Sequence, residues 1–118
     1  MNLDSIRNYC LKFPGATEDI QWGNDLLFRI GGKIFAGVDL ASPDSSLSLK
    51  CTPEEFAALI ELDGVSPARY TGRYHWITLE RSTALSDAET KRLIKESYEM
   101  VLAKLPKKVR EAVNSKRG

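Results

Sequence analysis

The chain has 118 residues, of which 42% are apolar and 28% charged, and its formal net charge is +1. This length and composition predict one folded domain over residues 1–118 and exclude a disordered protein. No apolar stretch approaches the roughly 20 residues that a membrane-spanning helix needs. The first residues, Met1–Asp4, lack the basic and apolar segments of a secretory signal, so a cytoplasmic location is expected.

Hydrophobic periodicity and turn residues predict an α+β domain. Thr52 and Ser86, each followed three residues later by glutamate, are typical N-caps and mark two helix starts. The predicted elements are a helix over residues 2–13, strands over 20–22, 26–30, 33–40 and 47–51, a helix over 53–62, a strand over 75–80, and helices over 87–105 and 107–114. This order, α-β-β-β-β-α-β-α-α, indicates an antiparallel sheet of about five strands packed against helices.

A glycine pair, Gly31-Gly32, separates the second and third strands and predicts a tight hairpin turn. In that register Ile30 lies opposite Lys33, and Phe28 lies opposite Phe35. Side-chain alternation then gives one face with Phe28, Ile30, Lys33 and Phe35, and another with Leu27, Ile34, Ala36 and Val38. Because both faces carry apolar groups, we expect helices over one face and loops over part of the other. A β-bulge would shift this register by one residue.

Two later strands alternate more cleanly between apolar and polar residues. In the strand over 47–51, Leu47, Leu49 and Cys51 are predicted to face inward, and Ser48 and Lys50 outward. In the strand over 75–80, Ile77 and Leu79 share one face, and Trp76 and Thr78 share the other.

Short strings along nearly the whole chain resemble the MmcQ/YjbR family of small bacterial proteins. The strings are, in order, Phe13–Ala16, Trp22-Gly23, Phe28–Ala36, Leu47–Cys51, Pro67–Tyr70, His75–Ile77, Ser97-Tyr98 and Lys104–Pro106. Their order and spacing carry the resemblance, since no single string is diagnostic. The resemblance implies a fold similar to secretion chaperones, with helices against an antiparallel sheet. It also implies DNA binding through a double-wing arrangement, and it implies no catalytic motif.

Charge is unevenly distributed along the chain. Residues 1–90 hold 8 Lys/Arg and 13 Asp/Glu, whereas residues 91–118 hold 9 Lys/Arg and 3 Asp/Glu. The basic end contains Lys104, Lys107, Lys108, Arg110, Lys116 and Arg117. Such a cluster can bind phosphates by releasing counterions, although charge runs are also typical of a solvated helix face.

A second candidate site is the segment that interleaves Arg69 and Arg73 with Tyr70 and Trp76. Guanidinium groups bind phosphates while aromatic rings stack on bases, so this pattern suits a nucleic acid. It equally suits a small ligand or a peptide. The alternative is structural, with the rings packed at the sheet and the arginines paired with acids.

A third candidate is the pair of strand lysines, Lys33 and Lys50. On the same sheet face as Trp76 they would form a cationic patch beside a stacking platform, although strand lysines also protect sheet edges from aggregation. The predicted nucleic-acid-binding residues are therefore Lys33, Lys50, Arg69, Tyr70, Arg73, Trp76, Lys104, Lys107 and Lys108.

The sequence gives little support for catalysis or metal binding. His75 has no serine or cysteine partner that spacing can identify. Cys10 and Cys51 lie on different predicted elements without CxxC spacing, which is typical of buried thiols that act as small hydrophobic groups. One histidine and two separated cysteines fall short of a four-ligand zinc site. We therefore expect no metal, no cofactor and no enzymatic activity.

Two functional hypotheses follow from these patterns. The first is weak nucleic-acid binding, to DNA in particular, through a basic surface. The alternative is a protein- or peptide-binding module, or a homodimer, that uses an apolar sheet face around Phe28, Phe35 and Trp76. No membrane partner is expected. The first hypothesis predicts a basic, grooved surface and the second an apolar, flat one.

Overall fold

The computed structural model describes the backbone of residues 1–117 and the side chains of residues 1–115. The described elements are α1 (Leu3–Leu11), β1 (Thr17–Gln21), β2 (Asp25–Ile30), β3 (Lys33–Asp39), β4 (Leu47–Lys50), α2 (Pro53–Leu59), β5 (Val65–Pro67), β6 (Trp76–Leu79), α3 (Asp87–Ala103) and α4 (Lys107–Arg117). The predicted α+β class is confirmed. None of these helices is long and apolar enough to cross a membrane.

One antiparallel sheet of six strands, in the order β1-β2-β3-β4-β6-β5, forms the centre of the fold. The strand missing from the predicted order is β5, in a segment predicted to be irregular. It has only three residues and ends in Pro67, so its sequence carries little strand signal. It is a strand because it pairs with β6, where Pro67 lies opposite Ile77. At the other edge β1 is longer than predicted, and Trp22 lies in the turn after it.

A β-bulge in the β2–β3 hairpin changes the predicted register. Ile30 lies opposite Lys33, as predicted, but Phe28 lies opposite Ala36. The prediction that Phe28 pairs with Phe35 is therefore wrong. Phe35 is the extra residue of the bulge, and a bulge leaves such a residue outside the regular ladder of the strand pair.

Beyond the bulge, the faces of β3 are exchanged relative to the prediction. Ala36 and Val38 are buried on the same face as Phe28. The prediction that Ala36 and Val38 share the face of Leu27 and Ile34 is wrong, because the inserted residue moves every following side chain of β3 to the opposite face.

Helix α3 covers the inner face of the sheet and contacts β2, β3 and β4. Its buried stripe contains the predicted residues Ile94, Tyr98 and Val101, and Leu105 is buried just beyond the helix. The Tyr98 ring stacks on Phe13 with a centroid distance of 4.6 Å, and its hydroxyl donates to the Pro14 carbonyl at 2.6 Å. These contacts join α3 to the turn after α1.

The inner face also contains both phenylalanines of the predicted apolar interaction patch. Phe28 and Phe35 are each 0% exposed, with ring centroids 6.4 Å apart. Trp76 lies on the opposite face of the sheet, since its neighbour Ile77 is buried inside. The predicted patch around Phe28, Phe35 and Trp76 is therefore wrong, because helices cover two of its three members.

Ion pairs fix the edge strand β1 on both faces of the sheet. Arg7 of α1 donates through Nε to the Glu18 carboxylate at 3.0 Å. Glu18 is opposite Phe28 and therefore points to the helix-covered side. The Arg7 guanidinium holds the pKa of Glu18 below its usual range. On the other face, Asp19 accepts from Arg29 Nε at 2.8 Å.

Candidate functional site

The face of the sheet turned away from α3, called the outer face, carries the candidate site. At its centre are two directly opposed residues of the β4–β6 pair, Lys50 and Trp76. Next along the same pair, Ser48 Oγ and Thr78 Oγ1 lie 2.9 Å apart in a hydrogen bond. These four side chains are half-buried, whereas the residues between them are buried on the inner face. Two adjoining cavities extend from this centre.

The larger cavity, called the apolar pocket, has a volume of about 660 Å³. Its apolar lining consists mainly of Trp22, Leu27, Ile34, Tyr70 and Trp76. Trp22 is 74% exposed and Tyr70 is 82% exposed, so both rings are largely accessible to a ligand. Exposed aromatic rings above an open sheet are suited to stacking on a planar group.

The second cavity, called the basic pocket, has a volume of about 510 Å³. It lies between the tip of the β2–β3 hairpin and the end of α3. Its charged lining residues are all cationic, namely Arg29, Lys33, Lys50 and Lys104. Ile34 and Trp76 line both cavities, so the two adjoin each other, and together they are called the groove.

The cations of the basic pocket differ in how they are neutralised. Arg29 is held by Asp19, and its Nη1 donates to the Gly32 carbonyl at 3.0 Å. Lys33, Lys50 and Lys104 form no salt bridge with any described residue. The basic pocket therefore holds three lysine charges that have no carboxylate partner among residues 1–115.

The surroundings of Lys50 lower the pKa of its ammonium group. Its partial burial lowers the pKa of the ammonium group, and the neighbouring Lys104 lowers it further. Burial and a like charge both disfavour the protonated form. An anion bound between Lys50 and Lys104 would remove this penalty, so the pair is suited to anion binding.

The groove is bordered by unusual backbone. Trp22 has φ 52 and His75 has φ 68, values in the left-handed region that non-glycine residues rarely adopt. Trp22 lines the apolar pocket, and His75 directly precedes Trp76. A bulky residue in this conformation costs about 1–3 kcal/mol, and such strain is concentrated at functional sites. Strained backbone therefore lies at or next to two aromatic residues of the lining, Trp22 and Trp76.

The structure brings six of the nine predicted residues into this groove. Lys33, Lys50, Trp76 and Lys104 meet in the basic pocket, and Arg69 and Tyr70 line the apolar pocket with Trp76. Three predicted residues, Arg73, Lys107 and Lys108, line neither cavity. The Arg73 guanidinium packs 4.9 Å from the Tyr74 ring centroid, and Lys107 lies 3.9 Å from Glu111 on α4.

Sequence reasoning missed two contributors to the groove, Trp22 and Arg29. Trp22 was assigned to a strand, although the following Gly23 and Asn24 are a turn signal that could have placed it at an exposed tip. Arg29 has the outward position that alternation gives it, but its place beside Lys104 in the basic pocket depends on the docking of α3.

Reactive groups elsewhere in the described chain do not form a second site. Cys10 and Cys51 are free and buried, and burial raises the pKa of each thiol to about 12. Both therefore remain protonated thiols at neutral pH. Across residues 1–115, no group of three or more histidine, cysteine or acidic side chains is arranged to hold a metal ion.

Comparison with known proteins gives consistent results at the level of family and fold. The profile of the YjbR family matches residues 11–100. The uncharacterised Escherichia coli protein YjbR is 28% identical over 116 residues, which cover 94% of this chain and 96% of that protein. A Deinococcus radiodurans crystal structure, designated DUF419, has a TM-score of 0.87 at 23% identity and covers 96% of this chain and 88% of its own. A Pseudomonas syringae structure has a TM-score of 0.71 at 24% identity, covering 85% and 98%.

Proposed function

The chain belongs to the YjbR family, and for this member we propose a cytoplasmic nucleic-acid-binding protein that holds a single strand on the outer face. The observation that supports this proposal is the direct opposition of Lys50 and Trp76 in the groove. One side chain offers a cation for a phosphate, and the other offers a ring for the adjacent base. Repetition of this pair of contacts is how proteins bind single strands with little sequence preference.

Single-stranded nucleic acid fits this groove better than a duplex does. Trp76 is half-buried at the floor of the groove, so a base must leave its stack to reach the ring. A duplex presents phosphates but keeps its bases stacked inside. The more exposed rings, Trp22 and Tyr70, can contact further bases from the rim. We therefore expect tighter binding to single-stranded DNA than to duplex DNA.

The proposed role is binding without catalysis. His75 contacts the Phe56 ring edge-on, with centroids 5.5 Å apart, and lines neither cavity. The buried thiols Cys10 and Cys51 are also absent from the lining. The groove offers cations, rings and hydroxyl groups, which are suited to holding a ligand.

Fluorescence anisotropy with labelled single-stranded and duplex DNA at low and physiological salt tests the proposal. We expect micromolar or tighter binding of the single strand. Trp76→Ala should weaken binding by roughly 5- to 150-fold, since loss of one stacked base costs about 1–3 kcal/mol. Loss of one phosphate contact should reduce the slope of log affinity against log salt by about 0.7.

A matched pair of double variants separates the groove from the C-terminal charges. One replaces Lys50 and Lys104 with methionine, and the other replaces Lys107 and Lys108 with alanine. Both remove two positive charges, but we expect the groove variant to weaken binding much more. Equal losses would show non-specific attraction to the whole basic end, and no binding at low salt would reject the proposal.

The competing proposal is a protein or peptide partner, or a second copy of the chain. Burial of Phe28 and Phe35 removes the apolar patch on which that hypothesis was based. The apolar pocket could still accept an aromatic side chain. Retention of a native oligomer or peptide complex, without salt-dependent DNA binding, would favour this alternative.

A further inference from the structure

The charges along the groove are not those expected for a uniform nucleic-acid strand. The basic pocket is lined by four cations and no acid. The adjoining apolar pocket is lined by Asp25 and Asp39 against a single arginine, Arg69. A strand whose backbone ran the whole length of the groove would place a phosphate near these carboxylates, so the apolar pocket suits bases and not backbone phosphates. The groove therefore complements a ligand with negative charge at one end only.

We infer that the basic pocket binds a terminal phosphate, a phosphomonoester on the last nucleotide of a strand, with the base of that nucleotide stacked on Trp76. This inference rests on the proposed function and names the part of the strand that the groove recognises. An internal phosphodiester carries one negative charge, whereas a phosphomonoester carries about 1.5 to 2 at pH 7. Three lysines without acidic partners match the higher charge better.

The direct opposition of Lys50 and Trp76 suits a single nucleotide. Lys50 and Trp76 are directly opposed in an antiparallel pair, and the Cβ atoms of such residues are about 4.5–5.5 Å apart. A phosphate at the lysine ammonium and a base on the indole can therefore belong to one nucleotide. Ile34, which lines both cavities, provides an apolar surface beside the ring.

Lys104 supplies the second contact to the same phosphate. It is the C-cap residue of α3 and lines the basic pocket together with Lys50. Its charge is close enough to lower the pKa of Lys50, as burial also does. Two ammonium groups that converge without a carboxylate repel each other, and a dianion between them converts the repulsion into two charge-assisted hydrogen bonds.

Calorimetric titration of three short thymidine oligonucleotides tests the inference. They share one length and carry a 5′-phosphate, a 3′-phosphate, or hydroxyl groups at both ends. We expect one of the two phosphates to raise the affinity at least about tenfold, because hydrogen bonds to a charged group are stronger than those between neutral groups. That gain should be lost in Lys50→Met and in Lys104→Met.

Two further variants make the result interpretable. Lys12→Met removes an exposed lysine at the end of α1 that lines neither cavity, and it should keep the full gain. Lys33→Met tests the same pocket from the exposed hairpin tip, so that a folding defect in the Lys50 variant cannot decide the outcome. Circular dichroism of each variant confirms that it is folded.

Free thymidine 5′- and 3′-monophosphates, with thymidine as the uncharged reference, distinguish a strand end from a free nucleotide. Weaker binding of the monophosphate than of the phosphorylated strand, with the same dependence on Lys50, supports the strand end. Equal or tighter binding assigns the pocket to a free nucleotide and overturns the strand end.

Failure of the inference and failure of the proposed function give different results. If the hydroxyl-ended strand binds as tightly as both phosphorylated strands, with dependence on Trp76, the terminal-phosphate site is rejected and single-strand binding stands. If no strand binds, the proposed function is rejected and the strand end with it.

Discussion

Ser97 of α3 donates a hydrogen bond to the Phe35 carbonyl at 2.6 Å, and Phe35 is the extra residue of the β-bulge. The same Ser97 hydroxyl accepts the backbone N–H of Lys50 at 3.1 Å. A bulge leaves backbone groups without ladder partners, and buried groups of this kind need one. One helix side chain therefore stabilises the bulge and fixes the strand position from which Lys50 reaches the outer face.

Ser97→Ala should lower the free energy of unfolding by about 1–3 kcal/mol, because it leaves a buried carbonyl and a buried N–H unsatisfied. Urea denaturation followed by circular dichroism measures the loss. Ser115→Ala, at an exposed position of α4, is the control and should be nearly neutral. A neutral Ser97→Ala would mean that water replaces the hydroxyl.

Gly31→Ala should destabilise the protein more than Gly32→Ala does. Both glycines have positive φ, so each alanine costs about 1–2 kcal/mol for the left-handed backbone. A Cβ at Gly31 would lie 2.7 Å from Leu105 Cδ1, whereas nothing lies within 4 Å of one at Gly32. The overpacked contact adds about 1–3 kcal/mol. Equal midpoints in urea would show that Leu105 moves aside freely.

Trp22→Asn should stabilise the fold by about 1 kcal/mol, because asparagine tolerates the left-handed region better than a bulky residue. The indole is 74% exposed, so little burial is lost. If Trp22 stacks on a base, the same variant weakens single-strand binding. Melting temperature and anisotropy measure the two effects. Trp22→Phe keeps both the backbone strain and an aromatic ring, so it should change the melting temperature and the single-strand affinity less than Trp22→Asn does.

Glu96→Gln should reduce the pH dependence of stability. Burial, and then the nearby Glu55 carboxylate, raise the pKa of Glu96, while Arg92 offsets part of this effect. The folded state then binds more protons than the unfolded state between the usual carboxyl pKa and the raised one. Native stability should therefore fall as pH rises through that window.

Thermal denaturation between about pH 5 and pH 8 measures this effect. The melting temperature of the glutamine variant should fall less as the pH rises, because its amide stays neutral and can donate to Glu55. Glu61→Gln, at an exposed position after α2, should follow the native curve. Parallel curves for the native protein and Glu96→Gln would contradict the assignment.

Local signals in the sequence were sufficient for most of the fold. Ser86 and Thr52 accept the N–H groups of Glu89 and Glu55 at 3.2 Å each, so the predicted N-caps are confirmed. The bulge at Phe35 was not predictable, since Phe35 and the residues around it also suit a regular hairpin. Only the buried partner that α3 supplies distinguishes the two arrangements.

The candidate site was predictable where it follows strand alternation. Lys50 and Trp76 were assigned to positions that the structure places opposite each other on one face. Lys104 was selected only as part of a basic run with Lys107 and Lys108. The docking of α3 brings Lys104 to the groove and leaves the other two outside, and this separation depends on tertiary packing that no local pattern records.

The two edges of the sheet restrict how this protein can assemble. At one edge, Glu18 of β1 points to the helix-covered face and forms an ion pair with Arg7. A strand added at this edge would have to place its side chains beside that charge. At the other edge, β5 has three residues and ends in Pro67, which has no N–H to donate. Short edges and inward charges discourage the addition of strands. Both edges of the sheet therefore carry features that discourage its growth by hydrogen bonding.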